Sequence, residues 1–182
     1  MTTFEPAYLK THRAGRLQPK IEAAYDNMLS CRICPHECRV DRRHGELGLC
    51  RTGDRPVVAS FGPHFGEEDP LVGRHGSGTI FFSSCNLFCI FCQNWEISHG
   101  GEGEEIDLDD LAAMMLRLQA QGCHNINFVT PSHQVPMILG ALPAAIAGGL
   151  TVPLVYNTGG YDSVATLQLL DGIIDIYMPD FK

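Results

Sequence analysis

Thr79-Ile80-Phe81-Phe82-Ser83-Ser84-Cys85-Asn86-Leu87-Phe88-Cys89-Ile90-Phe91-Cys92 decides how the chain is read. Its first third, Thr79 to about Ser83, is β-branched and aromatic, and both faces of the run are apolar. That is the pattern of a parallel strand buried on both sides. Three thiols follow, Cys85, Cys89 and Cys92, with three and then two residues between them. They therefore stand on the loop leaving the carboxyl end of a strand. Thiolates are soft ligands for zinc or an iron–sulfur cluster. Three of them can hold three irons of a four-iron cubane and leave the fourth iron open. A zinc ion completed by a distant fourth ligand is the alternative; the close spacing and the aromatic Phe91 favour the cluster.

Working outward from this loop, strand and helix alternate. Asp107 caps a helix with Asp110 in its first turn and Leu111, Met114, Met115 and Leu118 as its apolar stripe. Gly122 ends it. The next strand, about Asn125 to Thr130, runs into Thr130-Pro131-Ser132-His133. Ile138, Leu139, Leu142 and Ile146 mark a second helix, which Pro143 is expected to kink or break near Leu139. A third strand, Val152 to Tyr156, leads into the loop Asn157-Thr158-Gly159-Gly160-Tyr161. Ser163 caps the helix Val164 to Leu170, and a fourth strand, Ile173 to Met178, leads to Asp180-Phe181-Lys182. Such alternation implies a parallel sheet with right-handed crossovers.

Upstream, residues 1 to 18 show no period and read as an irregular arm. Pro19 opens a helix with Ile21, Ala24, Tyr25, Met28 and Leu29 on one face. Cys31, Cys34, Cys38 and Cys50 then form C-x2-C-x3-C-x11-C among glycines that permit tight turns. Four thiols at these spacings can close a tetrahedral zinc site or hold a second four-iron cluster; spacing leaves both open. Pro56 to Phe61 reads as a short extended segment. The long loop after it carries Glu67-Glu68-Asp69, read as a solvated turn, and His64 and His75, to which no catalytic role is given. Trp95 reads as a packing residue and Cys123 as a small buried hydrophobe.

The 182 residues suffice for one domain with a sizeable core. The formal charge of −8 gives no general attraction to nucleic acid or anionic membrane. No apolar run reaches the about 18 residues of a membrane span. The N-terminus does not read as a signal peptide. Seven of the eight cysteines fall in two tight clusters, which points to metal rather than disulfides and to a reducing cytoplasm.

The cysteine loop resembles the C-x3-C-x-aromatic-C motif of the radical S-adenosylmethionine superfamily. The run Cys85 to His99 is similar to the subgroup related to pyruvate formate-lyase activating enzyme, and within it to the PflX-like proteins. The likeness continues through Asn125-Ile126-Asn127, Asn157 to Tyr161 and Asp180 to Lys182. It implies a partial (β/α)6 barrel with about four parallel strands, preceded by a cysteine-rich segment. The expected organisation is an arm and helix over 1–30, a metal-binding segment and loop over 31–78, and the first four β/α units over 79–182. Since that barrel usually has six units, the resemblance also implies a truncated core.

It further implies a [4Fe-4S] cluster on Cys85, Cys89 and Cys92, with S-adenosylmethionine on the open iron. Phe91, Asn94, Thr130, Ser132, Asn157, Thr158, Gly159, Asp180 and Lys182 are the expected cofactor-binding residues. The activating enzymes often carry Gly-Gly-Glu after their second strand. This chain has Thr130 to His133 there, so the methionyl contact has no assigned residue. His133, Asp180 and Lys182 are the candidate catalytic groups. The implied activity is reductive cleavage of S-adenosylmethionine to a 5'-deoxyadenosyl radical. A flavodoxin or ferredoxin would supply the electron, and a glycyl radical protein is one candidate substrate. A small metabolite or RNA is another, with the acidic charge weighing against RNA. The competing class is a non-catalytic iron–sulfur or zinc protein for electron transfer or partner binding, without affinity for S-adenosylmethionine.

Overall fold

The computed structural model describes residues 4–181. Lys182, expected among the cofactor-binding and catalytic groups, lies outside the described residues. Two short helices, α1 (Ala7–Arg13) and α2 (Leu17–Asp26), open the fold. The first corrects the expectation of an irregular arm. A seven-residue helix is marginal by itself, and tertiary bonds hold this one. Tyr8 donates to the Val152 carbonyl at 3.0 Å and Thr11 to the Gly172 carbonyl at 2.6 Å. The Ala7 amide donates to Asp175 at 2.9 Å. Anchors at Ala7, Tyr8 and Thr11 hold a helix too short to show an apolar period.

The four-cysteine segment follows, with a single 3-10 turn at Arg42–His44. Strand β1 (Val57–His64), short helix α3 (Asp69–Val72) and strand β2 (Ser77–Phe82) come next. Then follow α4 (Trp95–Ser98), β3 (Glu104–Glu105), α5 (Leu108–Ala120) and β4 (Ile126–Val129). The chain continues through α6 (Val135–Ala147), β5 (Leu154–Thr158), α7 (Val164–Leu170) and β6 (Ile176–Pro179). The six strands form one sheet in the order β3-β1-β2-β4-β5-β6. β2, β4, β5 and β6 are parallel, as the alternation of elements requires. β1 pairs antiparallel with β2, and β3 antiparallel with β1. The sheet is thus α/β, mixed but mostly parallel, and the described strands do not close a barrel.

β1 runs three residues beyond the extended segment expected at Pro56 to Phe61, so part of the expected loop is strand. Its pairing covers the edge that β2 would otherwise present. The two faces of the sheet differ. Ile80, Phe82, Ile126, Phe128, Leu154 and Tyr156 are fully buried, and Phe82 stacks near Phe128 at 6.1 Å. The opposite face carries Thr79, Phe81, Asn127, Val129, Val155 and Asn157, which the register aligns across the strands.

The helix ends follow local chemistry. Asp107 and Asp110 form the reciprocal capping box of α5, and Ser163 caps α7 through the Thr166 amide. The break expected at Pro143 does not occur: α6 runs unbroken across it. Eight of its thirteen residues are buried, and packing on α2 and α5 holds the helix despite one missing amide.

Candidate functional site

A cleft of about 550 Å³ opens at the carboxyl ends of β2, β4, β5 and β6, within the roughly 300–1,000 Å³ of small-molecule pockets. Cys85, Cys89 and Cys92 line it, together with Phe91, Asn94, Thr130, Asn157, Thr158, Gly159 and Asp180. Most of the sequence-derived site residues are therefore brought to one place. Ser132 and His133 are not. Ser132 is buried and shares a hydrogen bond with Thr158 at 3.1 Å. His133 is 1 % exposed and lines the four-cysteine pocket instead. Its Nε2 bonds the Ser83 carbonyl at 2.9 Å, and its Nδ1 is buried without a partner. Burial, opposed by the Ser83 bond and assisted by Arg42, lowers its pKa to about 4. It is a neutral wedge beneath the thiol loop, out of reach of a ligand in the cleft.

The thiol loop is held by bonds directed at sulfur and by an unusual backbone. The Leu87 amide donates to Cys85 Sγ at 3.3 Å, and Ser98 donates to Cys92 Sγ at 3.2 Å. Ser84 and Phe88 sit at φ 67° and 51°, a conformation that costs about 1–2 kcal/mol for a residue with a Cβ. Burial raises the Cys85 thiol, the Leu87 and Phe88 amides oppose this, and neighbouring Cys89 and Cys92 raise it further. Phe91 is 74 % exposed at the mouth of the cleft, open to stack on a planar ligand. Trp95, read as a packing residue, is half exposed and stacks on His99 at 3.6 Å.

The loop after β5 is wedged against this mouth. A Cβ on Gly159 would collide with Leu87, and one on Gly160 (φ 79°) with the Asp180 carbonyl. Asp162 fixes the loop by accepting from Tyr156 at 2.8 Å and Thr158 at 2.6 Å. Thr130, at the end of β4, has φ 57°, an outlier for a β-branched residue.

Two features were missed by the sequence reading. Glu67 is not in a solvated turn. It is half-buried, lines the cleft, and accepts from the Asn157 amide at 3.4 Å. Nothing in its local sequence separates it from Glu68 and Asp69; only the return of the chain from β1 to β2 aims it inward. Arg42, in the four-cysteine segment, is 1 % exposed although charged. It donates to the Gly53 carbonyl at 2.7 and 3.0 Å and to the His133 carbonyl at 3.0 Å.

Cys31, Cys34, Cys38 and Cys50 line a second, enclosed pocket of about 10 Å³, room for about one water-sized atom. Burial raises Cys34 to about 11, against the His36 amide and with help from Cys50, Cys31 and Cys38. Gly48 is required there, since a Cβ would stand 2.9 Å from Cys38 Sγ. All eight cysteines are free thiols. Among the described residues no group of three or more His, Cys, Asp or Glu side chains is already drawn together around a metal position. Both thiol sets fit a soft metal in ligand type and in facing a common space, and would have to contract around it. Two bridges join the sets. His36 Nε2 bonds the Asn86 carbonyl at 2.6 Å, inside the thiol loop, and Arg42 reaches the same loop through His133 and Ser83.

Comparison with known proteins adds relatives but no activity. The chain is 34% identical over 172 residues to the uncharacterized protein MJ0674 of Methanocaldococcus jannaschii, covering 91% of this chain and 49% of that one. It is 25% identical over 114 residues to the uncharacterized protein MJ0808 of the same organism, covering 53% of this chain and 34% of that one. It thus spans about half or less of the length of the curated relatives it matches. No family model matches the chain, and no solved structure matches it. No helix among the described residues is long and apolar enough to cross a membrane.

Proposed function

We propose that the cleft binds S-adenosylmethionine against an iron–sulfur cluster held by Cys85, Cys89 and Cys92, and that the protein is a radical S-adenosylmethionine enzyme of the activating-enzyme type. One observation carries this reading. The C-x3-C-x2-C thiols converge on the mouth of a cleft at the carboxyl end of a mostly parallel sheet, where open α/β sheets bind their ligands. A four-iron cluster bound there supplies, once reduced, the electron that splits S-adenosylmethionine into methionine and a 5'-deoxyadenosyl radical able to abstract hydrogen.

The chain's own residues do the positioning. The Leu87 amide and the Ser98 hydroxyl donate to sulfur and hold the loop at the mouth of the cleft. Phe91 offers a flat surface to an adenine. Gly159 and Gly160 let the β5 loop pass close to the bound molecule, and Thr130, Asn157, Thr158 and Asp180 supply polar contacts. Asn94 borders the same wall. The electron would come from a flavodoxin or ferredoxin, and a glycyl radical protein is one substrate compatible with the family resemblance.

The four-cysteine pocket is the place of a structural metal. Its volume of about 10 Å³ favours a single zinc ion over a second cluster.

The test is anaerobic reconstitution with iron and sulfide, reduction by dithionite, and assay for 5'-deoxyadenosine. Formation by the wild type and loss in Cys89→Ala is the expected result. A reconstituted protein that carries a four-iron cluster yet neither binds nor cleaves S-adenosylmethionine would instead support a non-catalytic electron-transfer protein.

A further inference from the structure

Cys92 is tied to a short chain of hydrogen bonds that leads away from the cleft. Ser98, the last residue of α4, is 6 % exposed and donates to Cys92 Sγ at 3.2 Å. The same hydroxyl lies 2.8 Å from His99 Nδ1. A hydroxyl has one hydrogen. Because that hydrogen goes to sulfur, the Ser98 oxygen is the acceptor and His99 Nδ1 carries the proton. The order is therefore His99 Nδ1–H to Ser98 Oγ–H to Cys92 Sγ. When a metal holds Cys92 as thiolate, the sulfur has no hydrogen to give, and no other direction is open.

The imidazole is fixed from several sides. Trp95 stacks on it with ring centres 3.6 Å apart and planes within 8° of parallel. Phe88, inside the thiol loop, meets it edge-on at 5.3 Å. The His99 amide donates to the Trp95 carbonyl at 2.8 Å. Arg51, the neighbour of Cys50, donates to the His99 carbonyl at 3.4 Å. α4 is itself docked on the loop by the Ser84 amide, which donates to the Ile97 carbonyl at 2.9 Å. Ser98 and Cys92 line the cleft, whereas His99 is not among its lining residues. His99 therefore reaches Cys92 through Ser98 and not by touching a ligand in the cleft.

We propose that Ser98 and His99 form a relay that raises the reduction potential of a cluster held by Cys85, Cys89 and Cys92, with His99 as a positioning residue acting through Ser98. The inference rests on the cluster reading above and does not require S-adenosylmethionine. The step concerned is the gain of one electron by the oxidised cluster from an external reductant, with no bond made or broken. The added negative charge spreads onto the sulfurs, and a donor aimed at one of them favours the reduced form. A hydroxyl whose oxygen accepts from an imidazole N–H is polarised and donates more strongly than a lone serine.

The experiment reads the midpoint potential of the anaerobically reconstituted protein by dithionite titration. The electron paramagnetic resonance of the reduced cluster is followed, and iron content is measured in each variant. Ser98→Ala should make reduction about tenfold less favourable, a fall of about 59 mV for one electron. Ser98→Thr, which keeps the hydroxyl, should stay near the wild type. His99→Phe keeps a ring against Trp95 and removes the N–H, so it should lower the potential in the same direction by a smaller amount. Wild-type potential in Ser98→Ala or in His99→Phe, or a fall in Ser98→Thr equal to that in Ser98→Ala, would overturn the relay. If Ser98→Ala takes up no iron, His99→Phe decides, since it leaves every thiol and the Ser98 hydroxyl in place. The expected shifts in a protein that ignores S-adenosylmethionine would uphold the relay and overturn only the cofactor reading. A thiol loop that takes up no cluster in the wild type would overturn both.

Discussion

Thr130 shows how a single residue can trade stability for placement. Its φ of 57° puts a β-branched side chain where glycine is at ease, at the cleft wall. Its amide donates to the Asn157 carbonyl at 3.0 Å, which fixes the bend. Thr130→Gly is expected to raise stability by about 1 kcal/mol through relieved strain, seen as a higher melting temperature. The same variant should bind S-adenosylmethionine more weakly, because a polar contact leaves the wall. Unchanged melting would show that the backbone is not strained there.

His133 gives a pH signature. Its pKa is lowered to about 4, first by burial, whereas an unfolded histidine titrates near 6.5. Above that value both states are neutral and the stability is fully present. As pH falls from about 6.5 to 4, only the unfolded state gains the proton, so roughly 3 kcal/mol is lost. Denaturant titrations across that range should show this slope, and His133→Gln should flatten it. A His133→Gln curve that keeps the wild-type slope would assign the loss to other groups.

Among the elements, the 3-10 turn at Arg42–His44 does more than its length suggests. Arg42 crosses from it to the carbonyls of Gly53 and His133, so the four-cysteine segment is fastened to the turn that precedes α6. Ser163 and Thr166 of α7 fasten its other side by donating to the Ile33 carbonyl at 3.1 and 2.6 Å. Arg42→Met fits the volume but leaves the buried His133 carbonyl and the part-buried Gly53 carbonyl without this donor. It should cost about 2–4 kcal/mol, measured by urea unfolding, and a cost near zero would make the contact incidental.

Such long-range fastenings explain what could be read in advance. The α5 and α7 caps, the parallel strands and the thiol loop rest on residues within a few positions of each other, and they were legible. Helix α1, the antiparallel β1 edge, the unbroken α6 and the inward turn of Glu67 depend on partners tens of residues away. Local pattern carries no trace of those partners.

At the scale of the whole molecule, two thiol sets of different capacity lie on either side of one buried seam. The open set faces about 550 Å³ and the closed set about 10 Å³. The first space leaves room for a four-iron cubane once its thiols contract, whereas the second is closed in by Val40, Leu49 and Gly48. A single tetrahedral ion needs only a contraction of the four thiols. The chain purified and reconstituted without oxygen should therefore carry about one zinc and about four irons per protein. In a Cys85, Cys89, Cys92 triple alanine variant the iron should vanish and the zinc remain. Replacing Cys34 and Cys50 should do more than remove zinc. The bridge from His36 to Asn86 at 2.6 Å starts from the four-cysteine segment, so its loosening should also lower iron loading at the distant loop. His36→Ala, which leaves every thiol in place, separates the two effects: zinc should stay near one while iron falls. Metal analysis of these variants beside the wild type decides the matter. Full iron loading in both His36→Ala and the Cys34, Cys50 variant would show that the two sites fold and fill independently.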